Sequence, residues 1–197
     1  MFQWGNKKSF TAAMSNGRGR LFEDMVKGGC QYYKDRGRAK IEKMPEPFRV
    51  LTKDRANGIA TVRFTAHAQP DFVGCLAGGI CIAFETKYTD TDKLHHRVLT
   101  DTQAASLQEY YERGAIAAVC AGIKDRYFML PWQVFSEMKE RYGRQYVRAE
   151  DITPYEVKFN GVVLFLDLKD GQKITGDNVI IEAASAYARR AVFKSDT

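Results

Sequence analysis

Asp71, preceded by Pro70, is followed fourteen residues later by Glu85-Thr86-Lys87. Glu85 and Lys87 are two apart at the end of an apolar run, so in a strand both side chains point to one face. Gly78-Gly79 between the two segments predicts a tight turn, and hairpin pairing sets the start of one strand beside the end of the next. Asp71, Glu85 and Lys87 are therefore expected together at one edge of a sheet. Such a set suits Mg²⁺, which takes one or two carboxylates with waters and a substrate phosphate. The metal lowers the pKa of a bound water and stabilises charge developing on a phosphodiester. A lysine beside it orients or deprotonates the attacking water. The alternative is a solvated strand end with an ion pair of little energetic weight. Glu85 directly follows the apolar run Ile80-Cys81-Ile82-Ala83-Phe84, and a charge at the end of a buried strand needs a partner. Two further residues are candidates to join the site: Glu23, beside the apolar Phe22 and Val26 of a first helix, and Gln103, in the first turn of a second.

The apolar pattern outlines the elements that must carry these residues. Phe22, Val26, Gly29 and Tyr33 recur at helical spacing. They predict a helix from Ser15, capped by Ser15 or Asn16 and ended by Gly37. Residues 1–14 are expected to form a flexible basic tail. A short alternating strand over 39–43 is broken by Met44-Pro45-Glu46-Pro47. Two β-rich arms, 48–52 and 59–65, flank Asn57-Gly58, a two-residue hairpin signal because both positions accept positive φ. The segment 48–66, with Lys53, Arg55 and Arg63, is expected to project as a basic hairpin. Residues 71–77 and 80–87 form the strand pair of the site, the second apolar enough to be covered on both faces. Residues 88–99 look irregular. A helix is expected over 101–113, a buried strand over 115–121, and a short strand over 127–130 across a 122–126 turn. A helix over 131–142 follows, with Pro131 in its first turn. Past it come a strand over 161–168 and a helix over 178–191. This order argues an α/β fold class, a central mixed sheet flanked by helices. Residues 15–152 are expected to make its core and 153–197 a C-terminal extension of the same domain.

With 197 residues, 45% hydrophobic and 27% charged, the composition is that of a globular domain with a real core and excludes a collagen-like or wholly disordered chain. No apolar run approaches the ~20 residues of a membrane span, and the N-terminus lacks the apolar core of a signal peptide. A cytoplasmic location is expected. Cys30, Cys75, Cys81 and Cys120 show no CxxC spacing and no histidine at ligand spacing, so they read as reduced core residues rather than disulfides or a zinc site. The net charge of +6 lies wholly in residues 1–49, which hold eleven lysines and arginines against five acids. Such a bias points to a polyanionic partner.

An ordered set of blocks carries a resemblance. It comprises Gly19-Arg20-Leu21-Phe22-Glu23-Asp24, Tyr32-Tyr33, Ala39-Lys40-Ile41-Glu42-Lys43, Pro45-Glu46-Pro47, Pro70-Asp71-Phe72-x-Gly74 and Phe84-Glu85-Thr86-Lys87-x-Thr89. Then come Thr102-Gln103, Gly114-Ala115-Ile116-Ala117, Tyr127-Phe128-x-Leu130-Pro131 and Gly143-Arg144-Gln145-Tyr146-Val147. Over about residues 17–152 the chain resembles RecU-type Holliday junction resolvases, while 153–197 match that family poorly. The resemblance implies a restriction-endonuclease-like core and a Mg²⁺-dependent endonuclease (Mn²⁺ substituting) that cuts four-way junctions symmetrically as a homodimer in recombination and repair. It implies Asp71, Glu85 and Lys87 as the core site, with Asp71 and Glu85 as metal ligands and Glu23 and Gln103 in support. It makes the 48–66 hairpin the stalk that enters the junction. Two positions depart from the family. Ala68-Gln69-Pro70 stand where Ser or Thr usually precedes the site Asp, and Thr102 stands where His often precedes the Gln. A divergent, phage-type relative with altered substrate preference fits these departures.

Junction DNA is dense in phosphate, so affinity should come from lysine and arginine contacts and fall steeply with salt. Candidates are Lys7, Lys8, Arg18, Arg20, Arg36, Arg38 and Lys40, the hairpin's Lys53, Arg55 and Arg63, and Arg144 in a matching block. Two symmetric cuts suit a two-fold dimer, and recombination proteins are further partners to consider. Other readings are a nuclease of this fold acting on flap or duplex DNA, and a non-cutting DNA-binding modulator of recombination. Intact Asp71, Glu85 and Lys87 speak against the non-cutting reading.

Overall fold

The helix that carries Glu23 buries Phe22, Val26, Cys30 and Tyr33 on one side and runs as α1 over Lys7–Asp35. The computed structural model describes residues 7–65 and 69–174. α1 starts at Lys7, so residues 7–14 are helical rather than part of a tail, and neither Ser15 nor Asn16 is a cap. Ala12, Ala13 and Met14 favour helix, and Gly17 and Gly19 cost only about 1 kcal/mol each without ending it. The stop is the expected one. Gly37 sits at φ +62°, its N–H donating to the Lys34 carbonyl while Arg38 N–H donates to that of Tyr33, both at 3.0 Å. This is a Schellman closure, which needs a left-handed residue.

The strands are β1 (Ala39–Lys43), β2 (Phe48–Asp54), β3 (Ile59–Phe64), β4 (Phe72–Leu76), β5 (Cys81–Thr89) and β6 (Leu94–His95). Helix α2 (Asp101–Glu112) follows, then β7 (Ile116–Ile123), β8 (Arg126–Pro131), α3 (Trp132–Ser136), α4 (Met138–Tyr142), β9 (Tyr146–Val147), β10 (Val157–Phe159) and β11 (Val163–Leu168). The main sheet has the order β1-β4-β5-β7-β8. β5 and β7 are parallel, with α2 as the crossover, and the other neighbours are antiparallel. It is the expected mixed sheet flanked by helices. Every residue of β7 is buried, as in a strand covered on both faces. One face packs on α1 and β11 through Phe22, Tyr33, Phe84 and Phe165. The other packs on α2 and α3 through Leu107, Val119, Leu130 and Phe135.

β11 lies in the stretch expected as a C-terminal extension of the domain, and its Val163, Leu164, Phe165 and Leu166 are part of the core. Glycines in α1 make room for it. A Cβ on Gly29 would stand 2.2 Å from the Val163 carbonyl oxygen, and one on Gly28 would stand 2.3 Å from Val162 Cγ1. The helix expected over 178–191 lies outside the described residues.

Among the described residues β2 and β3 pair only with each other, as a two-stranded ribbon, and every residue of β2 is exposed. The ribbon therefore projects, as expected, but its tip differs. Asp54 pairs with Ile59, leaving a four-residue loop instead of a two-residue Asn-Gly turn. Asp54 Oδ1 accepts the N–H groups of Ala56 and Asn57 at 3.1 and 3.2 Å. This side-chain cap lengthens the turn and leaves only Gly58 at positive φ. The helix expected over 131–142 breaks at Glu137, where the Ser136 hydroxyl donates to the Gln133 carbonyl oxygen at 3.3 Å, a local bond that competes with the helix ladder. All four cysteines are free; Cys30 and Cys120 are buried, but Cys75 is exposed, because it faces outward on β4 near the hairpin tip.

Candidate active site

The β4–β5 hairpin builds the site. Phe72 pairs with Phe84 and Cys75 with Cys81. The turn closes through the Leu76 N–H on the Ile80 carbonyl at 2.8 Å, with Gly78 and Gly79 at φ +93° and +85°. This register sets Asp71, just before β4, opposite Glu85 and beside Thr86. Asp71 Oδ2 accepts two hydrogen bonds from Thr86, one from the backbone N–H and one from the hydroxyl, each 2.8 Å.

Glu85 is completely buried. Its Oε2 accepts from Gln103 Nε2 at 2.6 Å and stands 3.5 Å from Lys87 Nζ. Its Oε1 is buried with no partner among the described residues. Burial pushes the Glu85 carboxyl up to about 8, and the neighbouring Asp71 charge adds to the rise while Lys87 partly offsets it. A buried carboxylate beside another, with one oxygen orphaned, is a place that a cation would stabilise. Among the described residues no group of three or more His, Cys, Asp or Glu side chains converges as a metal cage. Asp71 and Glu85 alone fit a hard ion that keeps most of its waters, as Mg²⁺ does.

Gln103 ties α2 to this strand. It forms a capping box with Thr100, its N–H donating to Thr100 Oγ1 at 3.3 Å and its Oε1 accepting the Thr100 N–H at 3.2 Å. The same Oε1 accepts Lys87 Nζ at 3.2 Å. One side chain thus holds the helix start, the acid and the lysine. Glu23 reaches the rim of the same cleft, which Lys43, Pro45, Asp71 and Gln103 also line. Its carboxylate is engaged by Lys43. Asp71, Glu85, Lys87 and Gln103 therefore come together, and Glu23 stands beside them in an ion pair. Thr86 and Lys43 were missed. Their signals were the position between Glu85 and Lys87 and the strand end before Pro45.

The basic candidates are dispersed. Arg38 is bound to Asp167 at 2.8 Å from Nη1, and Asp167 also accepts the buried Tyr33 hydroxyl at 3.0 Å, so Arg38 serves the core. Arg144 pairs with Asp151, Arg18 with Asp90 at 3.0 Å and Lys40 with Glu42 at 3.7 Å. Arg36 lies 3.6 Å over the Tyr32 ring. Arg20, Lys53, Arg55 and Arg63 are exposed.

The family model Recombination protein U (RecU) matches residues 17–170. The chain belongs to the RecU family. Membership carries the family's activity at its coarsest, a nuclease of the Holliday junction resolvase kind. The RecU match runs through β10 and β11, so residues 153–170 belong to the family region, contrary to the poor match expected past 152. A solved structure, Archaeoglobus fulgidus Hjc, a Holliday junction resolvase from an archaeal hyperthermophile, is similar at 16% identity and a TM-score of 0.42, covering 68% of this chain and 89% of that one. No curated protein matches the chain. Among the described residues no helix is long and apolar enough to cross a membrane.

Proposed function

We propose that this RecU-family chain resolves four-way DNA junctions by paired, symmetric phosphodiester cuts, as a homodimer that depends on Mg²⁺ or Mn²⁺. The observation that carries the reading is the completely buried Glu85 beside Asp71, with Oε1 unpartnered among the described residues. Asp71 and Glu85 would hold the ion. When bound, it would lower the pKa of a water and stabilise charge on the scissile phosphate. Lys87 has three donors; one faces Gln103 and one faces Glu85, leaving a third to orient the attacking water or to steady a phosphate oxygen. Gln103 keeps Glu85 and Lys87 in place from the α2 cap. Glu23 and Lys43 border the cleft that the phosphate would enter.

Exposed Arg20, Lys53, Arg55 and Arg63, together with Arg18, Arg36 and Lys40, are suited to phosphate contacts. The β2–β3 ribbon, roughly 20 Å long at the usual rise per residue, would be the stalk that senses the junction. Paired cuts need two sites related by a two-fold axis.

The test is cleavage of a labelled four-way junction with and without Mg²⁺, beside duplex and flap DNA of the same sequence. Symmetric, Mg²⁺-dependent nicks in the junction alone support the proposal. Asp71→Asn and Glu85→Gln should then abolish cutting while junction binding survives. Equal cutting of all three DNAs would remove the junction from the function, and full activity in either variant would overturn the site.

A further inference from the structure

Thr86 stands between Glu85 and Lys87 on β5. Thr86 is buried, and its hydroxyl and its backbone N–H converge on one oxygen, Asp71 Oδ2, at 2.8 Å each. A single donor leaves a carboxylate free to turn about its bond to that donor. Two donors on the same oxygen, one of them part of a strand, leave it little freedom. The hydroxyl is itself well placed to hold still, because a β-branched residue in a strand has a stiff χ1. The N–H is present whatever residue stands at 86. The hydroxyl is a choice of Thr or Ser, and Ala68-Gln69-Pro70, just before Asp71, offer no hydroxyl in its place.

We infer that Thr86 is the positioning residue of Asp71, fixing that carboxylate for a divalent cation. The inference rests on the proposed metal-dependent reading of the site and adds a residue to it. Groups that orient metal ligands in this way alter metal affinity by about 10–100-fold when removed.

The experiment uses the full-length chain and the variants Thr86→Val, Thr86→Ser and Asp71→Asn. Thr86→Val keeps the branched shape and removes the donor; Thr86→Ser keeps the donor. Mn²⁺ binding is measured without DNA, from the paramagnetic resonance of the free ion. Junction cleavage is then measured as a function of Mg²⁺, separating kcat from KM. Thr86→Val should weaken Mn²⁺ binding and raise the half-saturating Mg²⁺ at least about tenfold, with KM for the junction unchanged and kcat largely recovered at high Mg²⁺. Thr86→Ser should stay within about threefold of the parent chain, well short of that loss. Should Thr86→Val fail to fold, Thr86→Ala is measured in its place. Unchanged Mn²⁺ binding in the hydroxyl-free variant overturns the inference, as does a Thr86→Ser variant that folds but is equally impaired. Asp71→Asn separates the two levels. If it binds Mn²⁺ and cuts like the parent chain, the metal reading itself fails. If it loses both while Thr86→Val loses neither, only the role of Thr86 falls.

Discussion

Replacing Glu85 by Gln should stabilise the metal-free protein, by an amount that grows with pH. In the fold, burial and then the Asp71 charge raise this carboxyl from 4.5 to about 8. Between those values the folded chain keeps a proton that the unfolded chain releases, so stability is lost as pH rises through the interval. The loss is absent below about pH 4.5, runs at ~1.4 kcal/mol per pH unit, and is complete above about pH 8. At pH 7 it is of order 3 kcal/mol. Gln carries no charge to desolvate and still offers an oxygen to the Gln103 amide. The variant should therefore melt roughly 6–12 °C above the parent at pH 7, with the two curves converging toward pH 5. Circular dichroism melts in EDTA at pH 5, 6, 7 and 8 read this directly. A variant no more stable than the parent at pH 8, or a gap that ignores pH, would refute the account of Glu85 as a costly, unneutralised acid.

Three other outcomes follow from the fold. Arg38→Ala strands Asp167, which is 8% exposed, and should cost about 3–5 kcal/mol in urea denaturation while leaving the salt slope of DNA binding unchanged; a lowered slope would make Arg38 a phosphate contact. Gly74→Ala would put a Cβ 2.1 Å from the Lys40 carbonyl oxygen and 2.5 Å from Ile41 Cα, forcing β1 off β4 at a cost of about 1–3 kcal/mol, seen as a lower melting temperature. Shortening residues 53–63 should reduce the preference for junction over duplex in a binding assay more than it reduces duplex binding itself; an unchanged preference would remove the ribbon from junction recognition.

The parts of this protein that sequence reveals are those with local causes. The β4–β5 hairpin announces itself through Pro70-Asp71, the Gly78-Gly79 turn and the apolar run to Phe84, and the site follows from its alternation. Gln103 was legible because a first-turn position is defined by its own helix. What stayed hidden depends on distant register. Arg38 looked like a surface cation because Asp167 lies 129 residues away. Thr86 carries no signal of its own because its partner Asp71 is brought to it across the hairpin. Gly29 fits the helical spacing of Phe22, Val26 and Tyr33, but why a glycine stands at 28 and at 29 appears only when Val162 and β11 lie against them. The tip of the ribbon departs from the two-residue turn that Asn57-Gly58 predicts because the Asp54 side chain caps a longer loop.

Because Asp71 sits on one arm of a hairpin and Glu85 on the other, the number of residues between them obeys a parity rule. Adding one residue to each arm preserves both the placement of Asp71 opposite Glu85 and the face that Glu85 and Lys87 share. Adding one residue to a single arm turns the acid and the lysine to the opposite side of the sheet unless a bulge absorbs it. The apolar residues from 72 to 84 are thus open to exchange in kind but not freely in count. Relatives that keep this chemistry should lengthen or shorten the Asp71–Glu85 interval by even steps, and an odd step should be accompanied by a bulge in one arm.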